Sequence, residues 1–375
     1  MVSRPAPDPD GDPGRHDPAH TVMLTQAGAS VALRASSPAV LRNARDSLYS
    51  YQEQPPGTPA CWQVDVACDP AVTDPGGPGG PGLDIGPQIT ACPRDADGLG
   101  TAFWVPELAT LITADPGRQV VRARCAGEDA ARHWALSLTR QTMTSQLLAA
   151  GMIYAHAAAF TAGGRGVLVA GHRGQGKTTT LLASLHKLGG DYVAGDRLLL
   201  HADGQRVRGY PLPHPVRAGI GTLAALPHLA GLVPGHWRGI PAADQWTFPD
   251  KVVIEPPGFA RILAAGGKTA SQVSADVMIW PKLDPGCRGA RAERVPAAEV
   301  LATVTRTRMF MADPDRGTSA HVNHWLASAP PGHVADGHLA GTAAVLAALP
   351  CYRIHAGAAP DALVGAVTSV LAGLP

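Results

Sequence analysis

The sequence predicts an α/β protein: a C-terminal domain built on a phosphate-binding loop, preceded by a smaller α+β domain. Three observations carry that expectation. An apolar run, Gly166-Val167-Leu168-Val169-Ala170, leads into a glycine-rich turn and then into a stretch with leucines at helical spacing. From Met152 onward strand-like and helix-like segments alternate, the pattern of helices packed on a sheet. Ahead of that region, Trp62, Val64 and Val66 alternate with Gln63 and Asp65, as in a half-buried strand.

In chain order, residues 1–20 are rich in Pro, Asp and Gly without an apolar stretch, which reads as a disordered tail and not a signal peptide. An α+β domain is expected over 21–135, and the phosphate-loop domain over 136–375. Short strands are expected at residues 21–24 and 30–34. Ser37 then caps a helix whose first position is Pro38, where a missing N–H costs nothing. Residues 75–82 form a Pro/Gly loop, 120–125 a strand, and 128–150 a long helix that bridges into the second domain.

The loop itself is Gly171-His172-Arg173-Gly174-Gln175-Gly176-Lys177-Thr178, which fits G-x-x-x-x-G-K-[ST]. Wrapping a polyphosphate requires several backbone N–H groups to converge, and side chains at Gly174 and Gly176 would block the approach. Lys177 supplies a charge for the β- and γ-phosphates, and the Thr178 hydroxyl is placed to bind Mg²⁺. The nucleotide-contacting set is therefore Gly171, His172, Arg173, Gly174, Gln175, Gly176, Lys177, Thr178 and Thr179. Leu181, Leu182, Leu185 and Leu188 mark the following helix, and Gly189-Gly190 stops it. A helix starting there would hold the pyrophosphate on its N-terminus. The cofactors implied are ATP and Mg²⁺.

Residues 191–194 read as a strand ending at Gly195-Asp196-Arg197. A hairpin follows, turned at Asp203-Gly204. A carboxylate at that strand end, Asp196, would hold Mg²⁺ or accept the proton of an attacking hydroxyl. Arg173, Arg197, Arg217 and Lys251 are candidates to neutralise a moving phosphoryl group, and Arg197 is preferred because Asp196 fixes its position. The catalytic set is thus Asp196, Lys177 and Arg197, and the metal set Thr178 and Asp196. His156 reads as a hydrogen-bonded core histidine.

Composition narrows the rest. Across 375 residues the net charge is +1, which gives no sign of a nucleic-acid surface. No apolar run is long enough to span a bilayer; the nearest, 147–160, is broken by His156. The six cysteines lack a C-x-x-C pair and read as free, mostly buried thiols in a reducing cytoplasm. His321-Val322-Asn323-His324 has no further ligand beside it and reads as loop histidines.

With these residues placed, the chain resembles the catalytic domain of HPr kinase/phosphorylase. The resemblance is closer to that domain's relatives in bacterial biosynthetic clusters, and the domain is itself similar to phosphoenolpyruvate carboxykinase. The likeness runs through His156-Ala157-Ala158-Ala159, Gly163-Gly164-Arg165-Gly166, the loop and Tyr192-Val193-Ala194-Gly195-Asp196. It continues through 209–213 and 216–219 and, more weakly, 279–283, and spans roughly residues 150–355. What it implies is transfer of a phosphoryl group from ATP to a hydroxyl, usually of a serine in a protein or peptide. The family carries two adjacent aspartates at the strand end, where this chain has Gly195 and Asp196. Its reverse phosphorolysis, its hexamer and HPr as substrate therefore do not carry over, and homo-oligomerisation stays open.

Three readings remain at the level of sequence: a kinase acting on a Ser or Thr of a peptide or protein, the same chemistry on a small natural product or antibiotic, or a non-enzymatic ATP-binding regulator or scaffold. Asp196 favours catalysis, because a passive clamp needs no carboxylate beside the γ-phosphate. Residues 21–135 carry no catalytic signature and are assigned to acceptor recognition or assembly.

Overall fold

The computed structural model describes residues 20–55, 57–76, 82–86, 89–94, 101–263, 266–284, 286–306, 331–357 and 359–374. The expected disordered tail (apart from His20), most of the Pro/Gly loop at 75–82 and the histidines at 321–324 lie outside the described residues.

The chain opens with strands β1 (Thr21–Gln26) and β2 (Ala29–Ala35), paired antiparallel around Ala27 and Gly28, both at positive φ. Two successive positive-φ residues make the tight hairpin turn whose twist matches its strands. Helix α1 (Pro38–Ser47) starts as its sequence demands: the Ser37 hydroxyl accepts the Ala39 N–H at 3.2 Å. Strands β3 (Gln52–Gln54), β4 (Trp62–Cys68), β5 (Leu83–Gly86), β6 (Ile89–Arg94), β7 (Thr101–Val105), β8 (Thr110–Asp115) and β9 (Val120–Cys125) complete a nine-stranded sheet in the order β3-β1-β2-β4-β9-β8-β7-β6-β5. The pairs β2–β4 and β4–β9 are parallel, and β6 to β9 form an antiparallel run.

Helix α2 (Glu128–Ala149) matches the expected helix, and it packs against β2, β4 and β9 as the lid of this first sheet. Its buried side chains, among them Ala131, Trp134, Ala135 and Leu138, meet Val31, Leu33, Val64, Val66 and Val121. Each fully buried aliphatic side chain there stabilises by about 1.5–3 kcal/mol. A division of the chain at 135/136 falls inside this helix. The same core also takes in Tyr154, Leu199, Tyr210 and Leu212 from further along the chain.

The second half is built from β10 (Ile153–Ala155), β11 (Ala157–Ala162), β12 (Arg165–Ala170), α3 (Lys177–Leu188), β13 (Tyr192–Ala194), β14 (Leu198–Asp203), β15 (Arg206–Pro211) and β16 (Val216–Gly219). After them come α4 (Ile220–Ala225), β17 (Lys251–Ile254), β18 (Val273–Ser274), β19 (Val277–Leu283), β20 (Ala290–Arg294), α5 (Ala297–Arg306), α6 (Pro331–Ala348), β21 (Cys351–Ala356) and α7 (Pro360–Ala372). A six-stranded sheet runs β13-β11-β12-β19-β21-β20, a four-stranded one β10-β14-β15-β18, and β16 pairs with β17 alone. Strands β12, β19 and β21 are parallel. The fold is mixed α/β, with several sheets and helices on both sides of the six-stranded one.

Strand β12 shows why its sequence is an unbroken apolar run. Val167 and Val169 face the core that holds Leu181, Leu182 and Leu185 of α3 and Leu363 and Val367 of α7. Leu168 and Ala170 face the opposite core, with Val300 and Val304 of α5 and Leu346 of α6. Both faces are buried, so neither can be polar.

All six cysteines are free thiols, but the expectation that most are buried is corrected. Only Cys125 and Cys351 are buried; Cys61 and Cys287 are exposed and Cys68 and Cys92 partly so. The two buried ones lie on inner strands β9 and β21, whereas Cys61 and Cys287 lie in connecting segments and Cys68 ends β4. Among the described residues, no helix is long and apolar enough to cross a membrane.

Candidate nucleotide site

The glycine loop joins β12 to α3, as the sequence requires. Helix α3 begins at Lys177 with Gly176 as its cap residue at φ 105°, and no side chain caps it. The first intrahelical bond is Thr180 N–H to Gly176 O at 2.9 Å, so the N–H groups of Lys177, Thr178 and Thr179 precede the helical ladder. That is the donor set an anion needs at a helix N-terminus. Gly176 is obligatory on two counts: its φ, and a Cβ there would fall 2.4 Å from Leu283 Cγ. Leu283 also donates its N–H to Gln175 O at 3.2 Å, which ties the loop to the end of β19. Within the loop, Gln175 Oε1 accepts the His172 N–H at 3.0 Å.

Lys177 is 6% exposed, and its ammonium donates to the carbonyls of Gly171 at 2.8 Å and His172 at 3.3 Å. A cation this buried is costly unless something negative shares the site. Burial holds its pKa below the usual lysine value, opposed by the nearby Asp196 carboxylate and reinforced by Lys251. Thr178 is half-buried and its hydroxyl donates weakly to Arg217 O at 3.5 Å. The Thr179 hydroxyl, in contrast, is buried against that of Thr222 at 2.8 Å, so only its backbone can face a ligand. His172, Arg173 and Gly174 form the exposed tip of the loop.

Asp196 lies just past β13, and its side chain is 51% exposed. The chain before β11 meets it there: His156 Nδ1 is 3.2 Å from Asp196 Oδ1. Burial pushes the His156 pKa below 6.5, Asp196 opposes this, and Lys177, Arg197 and Lys251 push the same way as burial. Burial thus favours the neutral imidazole beside the carboxylate. The sequence predicts a hydrogen-bonded core histidine at this position. The observed ring is half-buried and belongs to the site, a pairing that only the antiparallel register of β11 with β13 reveals.

Of the basic candidates, Lys251 on β17, itself exposed, is close enough to act electrostatically on both Lys177 and His156. Arg217 and Arg173 are exposed. The Arg197 guanidinium is 3.0 Å from His214 Nε2 and lies beside the buried phenol of Tyr154, behind Asp196 as well as next to it in sequence. The position before Asp196 is crowded: a Cβ on Gly195 would lie 3.1 Å from the Tyr192 hydroxyl and 3.4 Å from Val216 Cγ2. A second carboxylate there would press against a buried phenol.

Among the described residues no three His, Cys, Asp or Glu side chains gather as a metal cage. The two residues expected to hold Mg²⁺, Thr178 and Asp196, both reach solvent. So few protein oxygens suit Mg²⁺, which keeps waters and takes phosphate oxygens to fill its shell. A separate cleft of about 790 Å³, lined by Asp46, Tyr49, Pro256, Phe259 and Leu263 among others, contains none of the expected site residues.

Compared with known protein families and with curated proteins, the chain matches none. Among solved structures it is similar to the Hpr(Ser) kinase/phosphatase from Coxiella burnetii. The two are 19% identical over 38% of this chain and 72% of that one, with a TM-score of 0.21. A superposition that loose carries no argument about this chain's fold or activity, and the functional reading rests on the geometry above.

Proposed function

We propose that this protein is an ATP-dependent kinase that transfers the γ-phosphoryl group to a hydroxyl, that of a serine or threonine in a peptide or protein. The observation that carries the reading is the convergence on one spot of a helix N-terminus, the buried Lys177 and the Asp196–His156 pair. The loop N–H groups and Lys177 hold the β- and γ-phosphates, and Lys251, which acts on Lys177, adds positive charge to offset the negative charge of the transferring phosphoryl group. Thr178 and Asp196 would hold Mg²⁺, which when bound would neutralise phosphate charge.

Asp196 takes the acceptor's proton as the hydroxyl oxygen attacks. The new O–P bond forms on the γ-phosphorus, the bond to the bridging oxygen breaks, and ADP leaves with the electron pair. His156 lies against the carboxylate and, being neutral, does not quench its charge. Chemistry on a small-molecule hydroxyl would use the same residues.

The test is incubation with γ-labelled ATP, Mg²⁺ and a cell extract of the source organism, comparing the wild type with Asp196→Asn. Label appearing on a hydroxyl-bearing species only with the wild type is the expected result. Tight ATP binding with no transfer to any species would leave a nucleotide-binding regulator, and absence of ATP binding would overturn the reading altogether.

A further inference from the structure

Strands β4 and β9 run parallel in the middle of the first sheet, and their register sets Cys68 directly beside Cys125. Side-chain alternation puts both thiols on one face. On that face Val64 stands beside Val121 and Val66 beside Ala123, all buried in the core under α2. Arg122 and Arg124, exposed on the other face, pair with Asp65 and Asp69. The ladder stays closed to this end of the strands, where the Asp69 N–H donates to Cys125 O at 2.7 Å. Paired strands lie about 4.7–4.9 Å apart, and a disulfide spans about 4.4–6.8 Å between its Cα atoms. Among the described residues no other strand register sets two cysteines side by side: Cys92 is opposite Trp104, and Cys351 is beside Met278.

The two thiols differ in access. Cys125 is fully buried, with Cys68 on one side and Thr110 of β8 on the other. Burial pushes its pKa up to about 12, Thr110 opposes this, and Cys68 adds to it. Cys125 is therefore not the thiol that meets a dissolved oxidant first. Cys68 ends β4, is partly exposed, and packs against the same core. Reaction begins at the accessible sulfur. On parallel strands the two Cβ atoms point the same way and stay near the strand spacing, beyond the ~3.5–4.5 Å of a relaxed disulfide. A link made under that strain is one that a thiol reopens readily.

We propose that Cys68 and Cys125 form a modification site, a thiol pair that hydrogen peroxide closes to a reversible disulfide across β4 and β9. The Cys68 sulfur attacks one peroxide oxygen, the O–O bond breaks, and the departing hydroxide takes the thiol proton as water. Cys68 is left as a sulfenic acid. The Cys125 sulfur then attacks the Cys68 sulfur, the S–O bond breaks, and the second hydroxide leaves with the Cys125 proton. Two thiols are oxidised to one disulfide, and one peroxide is reduced to two waters. The closed link ties the two strands together where β9 gives way to α2. It does not depend on the kinase reading, because neither cysteine belongs to the nucleotide site.

The experiment treats the dilute, reduced full chain with hydrogen peroxide, removes the excess with catalase, unfolds the chain in N-ethylmaleimide and maps its peptides by mass spectrometry. The expected result is a pair of peptides joined through Cys68 and Cys125, and recovery of both thiols when reduced glutathione is added before unfolding. In Cys125→Ala, which takes only the sulfur from the core, dimedone should trap Cys68 as the sulfenic acid at least tenfold more than in the wild type. In Cys68→Ala, Cys125 should stay reduced at a peroxide dose that closes the wild-type pair, and this variant carries the test should Cys125→Ala not fold. Oxidation of the exposed Cys61 and Cys287 alone, with Cys68 and Cys125 both alkylated, would overturn the pair. So would a link from Cys68 to another cysteine or to a second chain, a link that glutathione fails to open, or oxidation of Cys125 as fast in Cys68→Ala as in the wild type.

Discussion

His156 Nδ1 lies 3.2 Å from Asp196 Oδ1, which joins the segment ahead of β11 to the end of β13 through one side-chain contact. The carboxylate thereby has an imidazole at one oxygen while half of its surface stays open to an incoming group. Asp196→Asn should keep the fold and most of the ATP affinity, and slow phosphoryl transfer by ~10²-fold or more, the scale of general acid–base catalysis. Label transfer from γ-labelled ATP measures the rate, and a wild-type rate in the variant would move catalysis elsewhere.

His156 itself makes stability depend on pH. Its folded pKa is held below the ordinary 6.5, so between the two values the unfolded chain binds more protons than the folded one. Stability is then fully present above pH 6.5 and is lost as the pH falls below it. His133 and His228 are depressed in the same direction by burial, so His156→Gln should flatten this acid-side slope without abolishing it. Urea melts from neutral to acid pH measure the slope, and an unchanged slope would show that His156 does not titrate with folding.

Gly176→Ala should be severe for a single added methyl. The backbone there is at φ 105°, and the new carbon would sit 2.4 Å from Leu283 Cγ. Left-handed backbone costs about 1–2 kcal/mol for a residue with a Cβ, and overpacking adds about 1–3 kcal/mol. A lower melting temperature and at least tenfold weaker ATP binding are expected. Leu283→Ala should restore part of the stability, since it removes the overlap and leaves the φ strain.

A chain starting at Glu128 should not fold. Helix α2 would lose the sheet that covers Trp134, Ala135 and Leu138, all buried in the native core. Circular dichroism and cooperative melting test this. A cooperative transition with ATP binding retained would show that the second half is self-sufficient.

Much of the second half was legible in the sequence because its signals are local. The loop's glycines, the leucines at 181, 182, 185 and 188, and the Asp203-Gly204 turn all act within a few residues, and α3 and the β14–β15 hairpin formed where they pointed. The Ser37 cap and the alternation in β4 were legible for the same reason. Hidden were features that depend on which strands become neighbours. The contact of His156 with Asp196 and the influence of Lys251 on Lys177 follow from tertiary packing, and no spacing along the chain encodes them. The nine-stranded sheet was foreseen only as scattered strands, since the order in which strands become neighbours is set by tertiary packing.

The tie between Gln175 O and the Leu283 N–H, with Leu283 packed against Gly176, has a consequence for how the protein is made. The glycine loop is complete in sequence once α3 has been synthesised, yet the strand that braces it, β19, is the last to pair with β12 and comes from far along the chain. Such distant pairing is slow to form. A ribosome pausing before residue 283 would hold a nascent chain whose loop lacks its brace, so competence for nucleotide would be acquired late in translation, and abruptly, when β19 emerges from the exit tunnel.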